Sequence, residues 1–230
     1  RSLVVTGVQT CALPISAAKA VLNESQIENG VAVIDLGGAT TSVAVFEEGD
    51  LQYVGVVPMG GVNITNDLAI GLKTDPEIAE KVKLQHASAS ARAESKQVSV
   101  KHGKEVLHFD LAEIDEIVEA RLEEIFELVN KELKKAGRAG QLPSGIVLAG
   151  GTANMKGIAE YAKHQLGVAA RVGKPHGFGG VADEIDKPHF AAAVGLMLVD
   201  AETTTGRPHG VSGSKKTGGF IKSLLSKFKP

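Results

Sequence analysis

The sequence has no tryptophan, only one cysteine, and no apolar run near the roughly 20 residues that a membrane-spanning helix requires. A single cysteine excludes a disulfide framework within the chain. The seven histidines are scattered without the spacing of a metal site. A formal net charge of −2 gives no overall field that argues for nucleic acid, and we expect no nucleic-acid partner. Any membrane contact is therefore expected at the membrane surface.

Acidic residues are missing from the last part of the chain. Between residues 203 and 230 there are six lysines and arginines and no aspartate or glutamate, so an acidic body is followed by a basic tail. Such a division is typical of an interaction tail. Residues 201–217 are rich in Thr, Gly and Ser without an apolar period, which predicts a flexible linker.

Residues 218–230 have the pattern of a short amphipathic helix. On a helical wheel the large apolar residues share an arc of roughly 140°, and lysines and serines fill the rest. We expect this helix to bind anionic lipid at the membrane surface. The alternative is a helix that docks on the protein's own core, but the linker and the unbalanced positive charge favour the membrane. The predicted membrane-binding residues are Phe220, Ile221, Leu224, Leu225, Phe228, Lys222, Lys227 and Lys229.

The first residues have an unusual origin. Residues 5–15, which include Cys11, resemble the translation of a widely used sequencing-library adapter. We therefore expect residues 1–15 to be non-native and the natural sequence to begin near Ser16, with an N-terminal half missing. The alternative is that residues 5–15 are a natural strand followed by a loop. With Cys11 set aside the chain has no cysteine, which suits a cytoplasmic protein.

The patterns along the chain alternate between strands and helices. Helices are predicted at 17–28, 62–72, 77–86, 110–136, 155–166 and 189–198. Strands are predicted at 31–36, 40–46, 51–58, 144–148 and 169–172, with a small hairpin around Gly103. This mixture indicates an α/β fold.

Two glycine-bearing turns follow buried strands. The first is the segment Asp35–Thr41, in which Gly37 and Gly38 allow the backbone to approach an anion and Thr40 and Thr41 supply hydroxyl groups. A tight hairpin with a solvated carboxylate is the alternative for this motif. The second turn leads from a strand through Gly150 and Gly151 into a helix, where bare backbone can meet a ribose, a phosphate or an adenine face.

The order of these motifs resembles the actin, Hsp70 and sugar-kinase ATPase superfamily. A closer resemblance, from about residue 17 to residue 229, is to the FtsA family of bacterial cell-division proteins; it covers VAVIDLGGATTSVAVFEEGDL, VVPMGG, AEKVKLQHA, EIVEARLEEIFELVNKEL and SGIVLAGGTANMKG. Ala39 departs from the family, which often has a third glycine there, and this restricts the freedom of the loop.

The resemblance implies a binding site for ATP and Mg²⁺. It assigns Asp35, Gly37, Gly38, Thr40 and Thr41 to the second phosphate loop, with Asp35 as an indirect Mg²⁺ ligand through water. It assigns Gly150, Gly151, Thr152 and Met155 to the adenosine motif, and Glu80 and Lys83 to the part that flanks the ribose and adenine. No residue is a convincing general base, so we expect weak ATPase activity at most.

The resemblance also implies partners. Arg121 lies among acidic residues of the longest predicted helix and is a candidate contact for the C-terminal peptide of the tubulin homologue FtsZ. An ion pair within its own helix is the alternative interpretation. Self-association into filaments and contacts with other divisome proteins are further expectations, and they place the protein at the division septum on the cytoplasmic face of the inner membrane.

The predicted architecture is an actin-like ATPase lobe of the ribonuclease H-like α/β class. We expect a nucleotide-binding subdomain at 16–73 and 144–200, a smaller α/β subdomain inserted at 74–143, and the linker and C-terminal amphipathic helix. The function that this implies is an adaptor that anchors the FtsZ ring to the membrane. A PilM-type pilus-assembly adaptor and an ATPase of the sugar-kinase or Hsp70 type are the alternatives. Because this chain supplies only one wall of the expected nucleotide cleft, we expect its affinity for ATP to be weak.

Overall fold

The structure is a computed structural model that describes residues 7–90, 96–179 and 185–204. The helices are α1 (Gly7–Val21), α2 (Glu24–Asn29), α3 (Gly61–Gly71), α4 (Pro76–His86), α5 (Leu111–Lys135), α6 (Ile158–Leu166) and α7 (Ala191–Thr204). The strands are β1 (Val31–Leu36), β2 (Thr41–Glu47), β3 (Asp50–Val57), β4 (Gln97–His102), β5 (Glu105–Asp110), β6 (Ile146–Ala149) and β7 (Ala170–Val172).

A five-stranded mixed sheet lies at the centre, with strand order β3-β2-β1-β6-β7. The first three strands form an antiparallel meander, in which β1 pairs with β2 and β2 pairs with β3. Strand β6 returns to lie parallel to β1, and β7 lies parallel to β6. The connection from β1 to β6 therefore carries helices α3, α4 and α5 and the separate β4–β5 hairpin.

Both faces of the sheet are covered by apolar side chains. In β1, Val31 and Val33 face one buried cluster, and Ala32 and Ile34 face the other, as the twofold period of a strand requires. The first cluster includes residues of α1 and α7, and the second includes residues of α3, α4, α5 and α6. The sheet is thus the middle of three layers, which is why its central strands read as continuous apolar runs.

The N-terminal helix prediction is wrong in its bounds. In place of one helix over 17–28, the structure has α1 and α2, which are separated at Leu22 and Asn23. The Asn23 side chain accepts a hydrogen bond from the Gln26 amide at 2.9 Å, and the Gln26 side chain accepts one from the Asn23 amide at 3.2 Å. This reciprocal capping box starts a new helix at Glu24.

Two other helix starts also differ from the sequence prediction. The turn after Gly150 begins as a short 3-10 segment (Gly151–Asn154), and α6 begins only at Ile158 because Gly157 is left-handed at φ +81°. A second 3-10 segment (Pro188–Phe190) precedes α7, which continues to Thr204 inside the segment predicted to be a linker. The remaining tail, including residues 218–230 for which an amphipathic helix is predicted, lies outside the described residues.

The predicted hairpin around Gly103 is present as β4 and β5, and the long predicted helix is α5. Asp110 caps α5 by accepting a hydrogen bond from the Ala112 amide at 2.8 Å. Residues of α4, the hairpin and α5 belong to the same buried cluster as one face of the central sheet. The boundaries proposed for an inserted subdomain, 74–143, stay a prediction.

Candidate functional site

The first glycine turn connects β1 to β2 at the carboxyl end of β1. The Gly37 amide donates hydrogen bonds to the carbonyls of Asp35 at 3.1 Å and Thr40 at 3.0 Å, which fixes a compact loop. Gly38, Ala39 and Thr40 are exposed, so this part of the loop is accessible to a ligand. Thr41 is fully buried, and its hydroxyl donates to the Met59 carbonyl at 2.9 Å. That hydrogen bond therefore joins the start of β2 to the segment that follows β3.

The second glycine turn lies directly against the first. The parallel pairing of β1 with β6 brings the carboxyl ends of both strands to the same edge of the sheet. The Thr152 hydroxyl donates to the Gly37 carbonyl at 3.1 Å, so the two turns are hydrogen-bonded to each other. Gly150 has φ +88° and packs so closely that a Cβ there would lie 2.5 Å from the Leu36 carbonyl oxygen and against Asp35 Oδ1.

A third glycine-bearing segment completes this edge, and the site prediction missed it. The amides of Gly61 and Val62, the first residues of α3, donate to the carbonyls of Gly37 at 2.9 Å and Gly38 at 2.8 Å. A Cβ on Gly60 would lie 2.6 Å from both of those carbonyl oxygens. The signal was available, because Gly60 and Gly61 form a double glycine immediately before a predicted helix.

Helix α4 contributes an ion pair that is tied to α3. The Lys83 ammonium lies 2.7 Å from Glu80 Oε2, and it donates to the Gly61 carbonyl at 3.0 Å and to the Thr65 hydroxyl at 2.8 Å. The Thr65 hydroxyl in turn lies 2.5 Å from Glu80 Oε2. An ammonium group has three N–H donors, and these contacts use all three. Lys83 therefore holds α4 against the start of α3.

These segments enclose one cavity of about 540 Å³. Six of the predicted nucleotide-site residues line the cavity, namely Gly38, Glu80, Lys83, Gly151, Thr152 and Met155. Its other lining residues are Gly61, Val62, Leu84, Gln85, His86, Ala87, Asn154 and Lys156. Asp35, Gly37 and Gly150 lie behind this surface and position it through the contacts described above.

The Asp35 carboxyl sits at the end of β1 beside Gly150. Burial raises the pKa of the Asp35 carboxyl above its ordinary value of 3.8, because the charged form is poorly solvated there. Among the residues that the structure describes, no group of three or more histidine, cysteine, aspartate or glutamate residues could hold a metal ion by itself. A cation beside Asp35 would therefore need ligands from a bound anion or water.

Arg121 lies away from this cavity, in a groove between α3 and α5. Its guanidinium binds both oxygens of Asp67 in α3, with Nε at 2.5 Å from Oδ2 and Nη2 at 3.0 Å from Oδ1. Nη1 lies 2.5 Å from Glu124 of its own helix. Hydrogen bonding to Asp67 raises the pKa of the Arg121 guanidinium above its ordinary value. The groove, about 380 Å³, is lined by Asp67, Ile70, Gly71, Ile117, Ala120, Arg121 and Glu124.

The membrane-binding prediction rests on residues that are not described. Phe220, Ile221, Leu224, Leu225 and Phe228, with Lys222, Lys227 and Lys229, all lie outside the described ranges. Within those ranges, the helices include none whose length and apolar content would suit it to cross a bilayer.

The Glu80 carboxylate predicts a pH dependence of stability. Burial raises the pKa of Glu80, but hydrogen bonds from Lys83 and Thr65 and the Lys83 charge outweigh burial and hold that pKa below its ordinary value of 4.5. The stabilisation is therefore fully present above pH 4.5 and is lost as the pH falls through the lowered pKa. Because the Glu80 side chain is 41% exposed, we expect the pair to contribute no more than about 1 kcal/mol to the free energy of unfolding.

Glu80→Gln should remove this acid-dependent part of the unfolding free energy, as measured by urea unfolding at pH 7 and at steps below pH 4.5. Glu160→Gln is the matched control, since Glu160 forms an exposed pair with Lys163, also three residues later, at 3.5 Å. Equal pH profiles for the two variants would contradict the interpretation.

Comparisons with known proteins identify the family. The family model described as cell division protein FtsA matches residues 32–195. The chain is 34% identical over 205 residues to the cell division protein FtsA of Pseudomonas aeruginosa, covering 87% of this chain and 49% of that protein. It is 40% identical over 191 residues to the FtsA of Bacillus subtilis, covering 81% of this chain and 42% of that protein. The chain thus spans about half the length of these relatives.

Solved structures with low sequence identity share the fold. MreB5 of Spiroplasma citri bound to ADP aligns with a TM-score of 0.65 at 18% identity, over 84% of this chain and 59% of that chain. The MamK double helical filament aligns with a TM-score of 0.61 at 17% identity, over 81% of this chain and 58% of that chain. The fold is the actin-like α/β fold, as the sequence indicated. Since the family model covers most of the chain, the chain belongs to the FtsA family of cell division proteins.

Proposed function

We propose that this chain forms one wall of an ATP-binding cleft in a cell-division adaptor that ties the FtsZ ring to the membrane. One observation carries the nucleotide part of the proposal. Three glycine-bearing segments, at 37–40, 60–61 and 150–151, converge on a single cavity beside the Glu80–Lys83 pair. Glycines at such positions bring backbone close to a ligand, as nucleotide binding requires.

The residues around the cavity have distinct roles in this proposal. The exposed backbone at Gly38, Ala39 and Thr40 binds phosphate oxygens, and Gly151 with Thr152 supports the nucleoside. The Glu80 carboxylate accepts hydrogen bonds from ribose hydroxyls. Lys83 uses its three donors within the protein, so its role is to hold α4 in place. The actin-like MreB5 structure, which is described as bound to ADP, adds support for a nucleotide ligand.

A magnesium ion fits this site only together with the nucleotide. Asp35 is a single carboxylate beside the phosphate loop, and Mg²⁺ is commonly bound by one or two carboxylates plus phosphate oxygens and water. Asp35 would hold a water molecule of the ion's hydration shell. The positive ion would lower the pKa of the Asp35 carboxyl, which burial raises. A Mg²⁺ ion held in this way would supply positive charge to offset the nucleotide phosphates beside the loop.

The adaptor part of the proposal rests on family membership and on the basic tail. Filament formation by self-association is supported by the shared fold with MamK, whose solved structure is a double helical filament. Arg121 is the proposed contact for the C-terminal peptide of FtsZ, and its groove offers apolar walls at Ile70 and Ile117. Residues 218–230 are the proposed lipid anchor, which places the protein at the septum on the cytoplasmic face of the inner membrane. Other divisome proteins are proposed partners.

The alternatives lose support for specific reasons. A PilM-type adaptor shares the fold, but the curated relatives that match this chain at 32–40% identity are FtsA proteins. An ATPase of the sugar-kinase or Hsp70 type would need residues that bind its substrate. Among the described residues that line the cavity there is a single acidic side chain, Glu80, and it is assigned to the ribose. Weak ATPase activity at most is therefore proposed.

A nucleotide titration tests the site. We expect millimolar Mg–ATP to shift backbone amide resonances of residues 37–40 and 150–152, because those atoms meet the phosphate and the nucleoside. Arg138 is bound to Glu47, at the opposite end of β2 from the phosphate loop, so resonances around Arg138 should not shift and serve as an internal control. Affinity should be weak, since this chain supplies one wall of the cleft. Shifts confined to other surfaces, or a submicromolar dissociation constant, would contradict these expectations.

A further inference from the structure

Helix α3 is fixed between the nucleotide cavity and the Arg121 groove. At its first turn, the amides of Gly61 and Val62 bind the carbonyls of the phosphate loop, and Lys83 binds the Gly61 carbonyl. Near its other end, Asp67 makes the two-pronged contact with Arg121. The helix has 11 residues and is therefore roughly 16 Å long, so one rigid element reaches both sites.

The packing leaves this helix little freedom to slide. Ile64 and Leu68 are fully buried in the core between the two ends. At Gly60 a Cβ would lie 2.6 Å from two backbone carbonyl oxygens, so the start of α3 packs directly against the phosphate loop. Because the start of α3 is close-packed against the loop, a displacement of the loop carbonyls shifts this end of the helix with it. A change in the loop contacts is therefore expected to move Asp67 relative to Arg121.

We propose that α3 couples the two sites, so that nucleotide in the cavity and a peptide carboxylate bound to Arg121 in the groove weaken each other's binding. This inference rests on the proposed function of both sites. Nucleotide bound to the loop favours the arrangement in which α3 is hydrogen-bonded to Gly37 and Gly38, and that arrangement presents Asp67 to Arg121. A peptide carboxylate competes with Asp67 for the same guanidinium. Each ligand thus favours a different state of one contact.

The coupling is measured directly by binding. We expect the dissociation constant of the FtsZ C-terminal peptide to rise about fivefold or more when Mg–ATP is added to this chain, and that of Mg–ATP to rise by the same factor with peptide, since coupling is reciprocal. Asp67→Asn keeps the shape of the side chain but removes its charge, and should bring the factor close to one. If both ligands bind the unaltered chain without affecting each other, the coupling is absent.

A matched control separates coupling from general loss of an ion pair. Glu47→Gln disrupts a comparable contact between a carboxylate and Arg138, which joins other elements and does not involve α3. This variant should retain the full coupling factor. A loss of coupling in Glu47→Gln equal to that in Asp67→Asn would overturn the role of α3.

Hydrogen exchange tests the link without any ligand. In Asp67→Asn, the Gly61 and Val62 amides should exchange about tenfold faster than in the unaltered chain, because α3 is released at its other end. Glu47→Gln should leave those two rates unchanged. Unchanged rates in Asp67→Asn would overturn the inference. Faster exchange combined with failure of peptide or nucleotide to bind would instead show that the link exists and that the proposed function of that site is wrong.

Discussion

Replacement of Gly150 by alanine is expected to destabilise the protein by about 2 to 6 kcal/mol. Gly150 has φ +88° and ψ 170°, a backbone region that is essentially restricted to glycine. The new Cβ would also lie 2.5 Å from the Leu36 carbonyl oxygen, and backbone cannot move aside as a flexible side chain can. Strain of 1–3 kcal/mol from each of these two sources gives the estimate.

The neighbouring glycine is the control for this prediction. Gly151→Ala places a Cβ where no other heavy atom lies within 4 Å, and Gly151 begins a 3-10 segment. Its effect on stability should stay within about 1 kcal/mol. Urea unfolding of both variants measures the difference. Midpoints that coincide for the two variants would show that Gly150 is not constrained by its contacts with β1.

Removal of residues 218–230 is expected to abolish binding to vesicles that contain anionic lipid. The apolar side chains of the proposed helix bury in the membrane interface, and its lysines contribute about 1 kcal/mol each near an anionic surface. The chain should sediment with vesicles containing anionic lipid and bind neutral vesicles at least about tenfold more weakly. Binding by the truncated chain at the level of the full chain would exclude this tail as the anchor.

Point variants separate the apolar face of the tail from its charge. Leu224→Asn with Leu225→Asn should weaken vesicle binding at least about tenfold, because each leucine contributes 1.5–3 kcal/mol when buried. Ser223→Asn with Ser226→Asn makes the same number of changes on the polar face and should have little effect. Equal losses in both pairs would indicate that the segment does not bind as an amphipathic helix.

Much of the fold could be predicted because its strands carry a strong local pattern. The apolar runs before Gly37 and Gly150 predicted buried strands, and their parallel pairing explains why two turns far apart in sequence meet. The single helix expected over 17–28 was wrong, since Asn23 was read as an ordinary helical residue although its side chain caps a new helix. Boundaries of this kind depend on one side-chain hydrogen bond.

The candidate site was predictable in its glycines and less so in its polar contacts. Glu80 and Lys83 came from the resemblance, whereas their attachment to Thr65 and Gly61 joins two helices and has no local signal. Arg121 shows the same limit. The intrahelical contact with Glu124 was readable from spacing, but the stronger contact with Asp67 spans 54 residues. Only the packing of α3 on α5 brings those groups together.

The pairing of β1 with β6 has a consequence for how the chain folds as it is made. Val33 lies opposite Val147, on the order of a hundred residues later in synthesis, while β2 and β3 follow β1 at once. The antiparallel meander can therefore assemble early, and one edge of β1 then remains unpaired until β6 has been synthesised. That edge belongs to a strand whose residues Val31–Ile34 become fully buried. An apolar open edge of this kind is a template for aggregation, so chaperone binding is most needed before Ile146–Ala149 leaves the ribosome.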